Sequence, residues 1–260
     1  MAIVYVDTVL PETSGISENL NLGAAGDTVT VPAGATLKTN KITDAGGNNV
    51  ITSDGSGNLT VNGGMQGDIA LLQTQTASNI AQIEFSNATT GVFSSTYKTY
   101  IITWVGIDVE TNDTYLKCNA SQTVSSPFTY DQYCTTTFYH SYNRETAGSS
   151  DLGYSNGRRA QQSTTGFNVG VEISNAAGDN GCGEMWFFNP AGATIGFDDT
   201  VKTFQTTQAN WSGGTYQQNS FVNGYFNPNS GSSYGAITAI KFFMSSGNIV
   251  GGTFKIYGIK

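Results

Sequence analysis

The chain has 260 residues and a mass of 27.5 kDa, and charged residues make up only 12% of it, about half the ~25% of an ordinary soluble domain. A formal net charge of −8 offers no long-range attraction to nucleic acid or to an anionic membrane. Thirty-two glycines and 12% aromatics, with abundant Asn, Ser, Thr and Tyr, speak against an all-helical protein and against disorder.

Residues 1–15 lack the basic start and apolar run of a secretory signal. No stretch is apolar enough to span a bilayer, so folding in a cytoplasm is expected. From Leu20 to Gly64 the chain reads as very short strands between turns. Leu20 and Leu22, Val29 and Val31, Ala35 and Leu37, and Leu59 and Val61 alternate with polar residues. Gly- and Asn-rich turns separate them, notably Asp44–Asn48 and Asp54–Asn58. Stripes this narrow bury little alone, which points to a thin solenoid- or prism-like stem whose stripes stack on one another or on identical chains. A polar tail that orders only on docking is the other reading.

Residues 65–86 are ambiguous. Ile69, Leu72, Thr76, Asn79 and Ile83 fit a heptad track, yet Gln73–Ser78 is a poor helix, and strand is preferred from about Leu71. Beyond it the strand signals strengthen. Tyr100, Ile102 and Trp104 share one face, and Phe167, Val169, Val171 and Ile173 alternate cleanly. Glu184–Phe188 is a short aromatic run, and Ile240, Phe242 and Met244 precede Phe254 and Ile256. Ser246–Asn248 and Gly251–Gly252 read as the turn between those last runs. Many short strands with Gly and Asn turns predict a sandwich or jelly roll.

Catalytic chemistry finds little footing. His140, the single histidine, lies in Phe138–Tyr142 with no triad pattern around it. Asp108, Glu110, Glu172, Glu184, Asp198 and Asp199 are the candidate acids; the adjacent Asp198 and Asp199 suit turn capping, or weak Ca²⁺ binding. Cys118, Cys134 and Cys182 lack the paired spacing of a metal site and read as reduced thiols. No catalytic residue, cofactor or metal is expected. Arg158 and Arg159 read as a solvated turn or as a contact to an acidic partner. The Gly-, Asn- and Tyr-rich stretch Ser212–Ser233 reads as a loop region. Trp211, Tyr216, Tyr225 and Phe226 in or beside it are the candidate receptor- or glycan-binding residues, since rigid aromatics and adaptable amides suit a neutral glycan. Packing of the same rings inside the sandwich or at a subunit interface is the alternative.

Several ordered segments carry a resemblance. Gly26–Gly34, Thr43–Asn48, Thr52–Leu59, Leu72–Ser78 leading into Ile83–Phe85, Ser95–Tyr100 and the ending Ser246–Lys260 resemble stems and C-terminal domains of bacteriophage tail-fibre and virion appendage proteins, of the marine podovirus or cyanophage type. The resemblance implies an all-β homotrimer: a virion-attachment segment at 1–20, a β-rich stem at 21–66, and a C-terminal β-sandwich or jelly-roll head at 67–260. It implies a non-enzymatic virion protein, a fibre or spike that mediates adsorption to the host cell surface. Its expected partners are two further copies of itself, other virion proteins through the N-terminal segment, and a host glycan or protein, with no nucleic acid and no membrane insertion. A capsid decoration or head fibre that stabilises the shell without reading a receptor is the rival expectation.

Overall fold

The computed structural model describes residues 39, 41–43, 46–53, 55–56, 59–61, 69–88, 91–145, 148–192, 201–212, 216–227 and 235–260. The expected attachment segment 1–20, the alternations from Leu20 to Leu37 and the pair Asp198–Asp199 lie outside the described residues. The chain divides into two compact units, Met1–Met65 and Gln66–Lys260. Every helix or strand among the described residues is a strand.

In the first unit, β1 (Lys41–Thr43), β2 (Asn49–Ser53) and β3 (Leu59–Val61) form a three-stranded antiparallel sheet in chain order. Ile42 pairs with Ile51, and Ile51 with Val61. Gly47 (φ 82°) and Gly55 (φ 77°) occupy the two turns read from the sequence, where only glycine adopts positive φ without cost.

The second unit is an all-antiparallel, sandwich-like pair of sheets. Its strands are β4 (Ile69–Thr76), β5 (Gln82–Ser86), β6 (Thr99–Val109), β7 (Leu116–Ser121), β8 (Tyr133–Arg144), β9 (Ser150–Tyr154), β10 (Phe167–Asn168), β11 (Asn180–Phe188), β12 (Lys202–Ser212), β13 (Tyr216–Asn227), β14 (Ala239–Met244) and β15 (Ile249–Ile259). The large sheet runs β4-β15-β6-β11-β12-β13-β8-β9 and the small one β10-β7-β14-β5. The segment that could have been a coiled coil is therefore strand β4, paired with β15.

One continuous aromatic and aliphatic core joins the two inner faces. Trp104 packs against Phe242 at 5.8 Å between ring centroids, and Phe242 against Phe254 at 5.5 Å. Phe167 of the small sheet stacks on Phe204 of the large one at 4.2 Å. Tyr100, Ile102 and Trp104 all point inward, as their alternation predicts. Beyond them Gly106 takes a φ of 65°, and the inward positions shift to Ile107 and Val109. The register of both neighbouring strands slips at this place, between Gly181 and Gly183 and between Ile249 and Thr253, as a bulge requires. Gly251 and Gly252, read from the sequence as part of a turn, belong instead to β15 opposite that bulge. A Cβ on Gly252 would lie 2.6 Å from Ile107 Cδ1, so this glycine makes room for a packed neighbour.

Phe167, Val169, Val171 and Ile173 are all buried, yet regular pairing with β7 covers only Phe167 and Asn168. Beyond β10, the Val169 and Ile173 N–H groups donate to Leu116 and Thr114 carbonyls at 2.9 and 2.8 Å. Other carbonyls of the segment are met by side chains reaching across the core from β12. Thr206 Oγ1 donates to Val169 O at 2.7 Å, Gln208 Nε2 to Val171 O at 2.9 Å, and Asn210 Nδ2 to Glu172 O at 2.7 Å. All three donors are buried.

Gln208→Leu keeps the volume and leaves the Val171 carbonyl buried without its donor. The free energy of unfolding should fall by about 1–3 kcal/mol. Thr203→Val, on the opposite face of the same strand, should change it by less than about 0.5 kcal/mol. Urea titration of both variants checks the contrast.

Candidate functional site

The outer face of the large sheet is built by the residues that alternate with the core positions. Antiparallel pairing lines them up in rows across the strands. One row runs Tyr154, Tyr139, Phe221, Thr207 across β9, β8, β13 and β12. The next runs Leu152, Ser141, Asn219, Ala209, and the third Ser150, Asn143, Gln217, Trp211. The second and third rows floor a shallow depression of about 470 Å³ lined by Ser141, Asn143, Ser150, Leu152, Gln217 and Asn219 among others. Tyr139, Tyr154 and Phe221, each 41–44% exposed, stand along one side of it. The rings of Tyr139 and Tyr154 meet edge to face at 5.2 Å.

The four aromatics singled out in the sequence do not converge. Trp211 is half-buried on the outer face, directly opposite Gln217 and so beside the depression. Tyr216 lies one residue before Gln217 and points to the other face. There it meets Tyr142 edge to face at 5.8 Å, with the Arg144 guanidinium 4.5 Å from its ring centroid and hydrogen-bonded to its hydroxyl. Tyr225 pairs with Thr203 at the far end of the hairpin, some ~25 Å from Trp211 at the usual rise per strand residue. Phe226 is 1% exposed and packs on Phe167, Phe187 and Phe204. It belongs to the core and has no face to offer a ligand. The expected loop over 212–233 is likewise corrected: Tyr216–Asn227 is strand β13, paired along its length with β12 and β8.

Tyr139, Tyr154 and Phe221 were not singled out in the sequence. Tyr139 lies in a run with aromatics at both parities, Phe138-Tyr139-His140-Ser141-Tyr142. The burial of Cys134, Thr136 and Phe138 decides which parity faces out.

Comparison with protein-family models, with curated proteins and with solved structures returns no match. The acids are engaged singly. Glu110 Oε2 accepts from the Asn248 N–H at 2.9 Å, and Glu184 Oε1 from Trp186 Nε1 at 3.2 Å. Glu172 Oε1 takes Arg158 Nη2 at 2.6 Å and the Tyr115 hydroxyl at 2.8 Å, while Arg158 Nε donates to the Tyr115 oxygen at 3.2 Å. Arg158, in the turn at 156–158, is thus held in a partly buried ion pair, while Arg159 is exposed. Among the described residues no three His, Cys, Asp or Glu side chains come together as a metal cluster.

His140 lies opposite Ser220 on β13 and Gly153 on β9. Burial, and after it the nearby Arg158 charge, lower its pKa below the ordinary 6.5. Burial raises the Cys118 thiol well above its ordinary value and pushes Cys134 up to about 12, so neither is a thiolate at neutral pH.

Burial alone would raise the Glu172 carboxyl. Its backbone hydrogen bond, Arg158 and Tyr115 outweigh burial and hold it below the ordinary 4.5. A carboxyl lowered on folding stabilises the fold above its unfolded pKa, and that contribution is lost as the pH falls through the folded value. Glu172→Gln should therefore lower the melting temperature most near neutral pH. The gap to the parent chain should narrow below about pH 4, as thermal melts across the acid range will show.

Proposed function

We propose that the chain is a non-enzymatic bacteriophage virion protein, a fibre or spike whose β-sandwich head contacts the host cell surface. The observation that carries this reading is the outer face of the large sheet. Its depression and the aromatic row beside it combine hydroxyls, amides and exposed rings, with Asp151 as the one charged residue in the lining. Such a surface suits individually weak contacts with a neutral glycan, and weak contacts become effective when several heads engage together. The resemblance of the stem and C-terminal segments to phage appendage proteins supports the same reading, as does an acidic chain with no attraction for nucleic acid.

A homotrimer with an N-terminal attachment segment, a stem and a jelly-roll-like head completes the proposal. At the β4 edge of the same outer face, Leu71, Tyr257, Ile101 and Trp186 form one row, and Ile69, Ile259, Thr99 and Phe188 the next. Ile69 and Leu71 are more than half exposed. An apolar, charge-free patch of this kind, rising where the chain enters from its first unit, is suited to a second copy of the chain.

Light scattering of the full chain at micromolar concentration should give three copies, and Leu71→Lys should shift it toward monomer. A stable monomeric parent chain overturns the trimer. Labelled full chain should be retained by susceptible cells in a panel of marine bacteria and cyanobacteria. Asn219→Ala and Trp211→Ala should reduce retention several-fold with unchanged melting temperature. Retention indifferent to both substitutions removes this face from the contact.

A further inference from the structure

The outer side of the small sheet carries a second, chemically different depression of about 180 Å³, lined by Lys117, Arg158, Arg159, Gln161, Ser163 and Asn168 among others. Lys117 stands on β7, facing away from the core between its cross-strand neighbours Asn168 and Phe243. The residue is half-buried, with its ammonium 5.8 Å from the centroid of the Phe243 ring. The chain has 19 acidic residues against 11 basic ones, so acids are plentiful. Yet among the described residues no carboxylate forms an ion pair with Lys117 or Arg159, whereas Arg158, in the same depression, has Glu172. Arg158 uses Nη2 on Glu172 and Nε on Tyr115.

A partly desolvated ammonium without a counter-charge is unfavourable, and burial accordingly lowers the Lys117 pKa. Lys117 and Arg159 supply charge-assisted donors, and Gln161, exposed at the rim, supplies an amide. The volume admits one small charged group. The floor is fixed in place: Ser163 is tied to Cys134 through two backbone bonds of 2.9 Å. Asn168 Nδ2 donates to Arg158 O at 3.2 Å. Gly166 (φ 83°) brings its backbone so near Cys118 that a Cβ would lie 2.4 Å from the Cys118 carbonyl oxygen.

From this arrangement we infer that the Lys117–Arg159 depression is a binding site for a single oxyanion group: a carboxylate, sulfate or phosphate, either free or carried by an acidic sugar. It is separate from the depression on the large sheet and does not depend on it. Binding is weak, in the millimolar range, and is opposed by the overall charge of −8. It weakens further with added salt.

Titration of the full chain with sodium sulfate, sodium phosphate and sodium glucuronate, each against sodium chloride at equal ionic strength, tests the site by calorimetry and by melting temperature. At least one of the three should bind saturably and raise the melting temperature beyond chloride. Tighter binding of glucuronate identifies a sugar acid as the source, and tighter binding of sulfate or phosphate a free anion. Arg159→Gln, at an exposed position, should weaken that binding at least tenfold. Lys117→Met should abolish it while leaving the ligand-free protein as stable as the parent or more so, since a poorly compensated charge is removed. Should Lys117→Met fail to fold, Arg159→Gln alone decides. Equal response to all salts including chloride, or binding retained in Arg159→Gln, overturns the site.

Discussion

The sandwich depends on the polar seam inside it. Thr206, Gln208 and Asn210 stand in a line on the inward face of β12 and bond the carbonyls of Val169, Val171 and Glu172 in the segment that follows β10. Without those donors, an extended run with four buried apolar side chains would have one edge of its backbone turned to an apolar core, a costly arrangement. With them, a segment too irregular to pair fully with β7 is bonded across the sandwich to β12. The seam also sets spacing. A Cβ on Gly170 would lie 2.4 Å from the Gln208 side chain, and one on Gly181 would lie 2.6 Å from Ile173 Cδ1, so glycine at both places lets the layers close.

The seam in turn places the polar chemistry at the surface. Holding the Glu172 carbonyl through Asn210 keeps the next atoms of that residue at the rim, where its carboxylate takes Arg158 and Tyr115. That pair occupies one of the cations beside Lys117 and leaves Lys117 and Arg159 to themselves. On the large sheet, inward commitment of Phe204, Thr206, Gln208 and Asn210 on β12 and of Ser220, Val222 and Phe226 on β13 sends Trp211, Gln217, Asn219 and Phe221 outward together. Core packing and the composition of the depression on the large sheet are consequences of the same parity.

That parity was legible in the sequence wherever the pleat ran unbroken. Tyr100, Ile102 and Trp104, and Phe167 to Ile173, could be assigned to one face because alternation leaves a strand no other way to bury them. It ceased to be legible at Gly106, where one residue in a left-handed conformation hands the core face to Ile107 and Val109. The hairpin was misread for a related reason. Ser212–Ser233 is rich in Gly and Asn, which ordinarily mark loops, but Gly224 is glycine because Phe204 Cζ and the Thr135 carbonyl occupy the space of a side chain, with gaps of 2.8 and 2.6 Å to a built Cβ. Glycines for turns, such as Gly47 and Gly55, and glycines for close approach are identical in a sequence. The choice of Phe226 as a contact residue failed on the same ground, since which of Tyr225 and Phe226 faces inward is fixed by pairing with β8 and not by composition. The Lys117 depression was hidden because it gathers residues from β7, β10 and the chain before it, joined only by folding.

The pairing of Ile69 with Ile259 has a mechanical consequence. It puts the entry of the chain into the sandwich and its final strand at one end of the large sheet, while the row of Ser150, Asn143, Gln217 and Trp211 lies at the other. A pull on the entry point along the axis of β4 runs parallel to the strands. The bonds joining β4 to β15 are then strained in shear, all at once, and not peeled one after another. The ladder so loaded runs from Ile69–Ile259 to Thr76–Thr253 and carries its own irregularity between Ile256 and Tyr257.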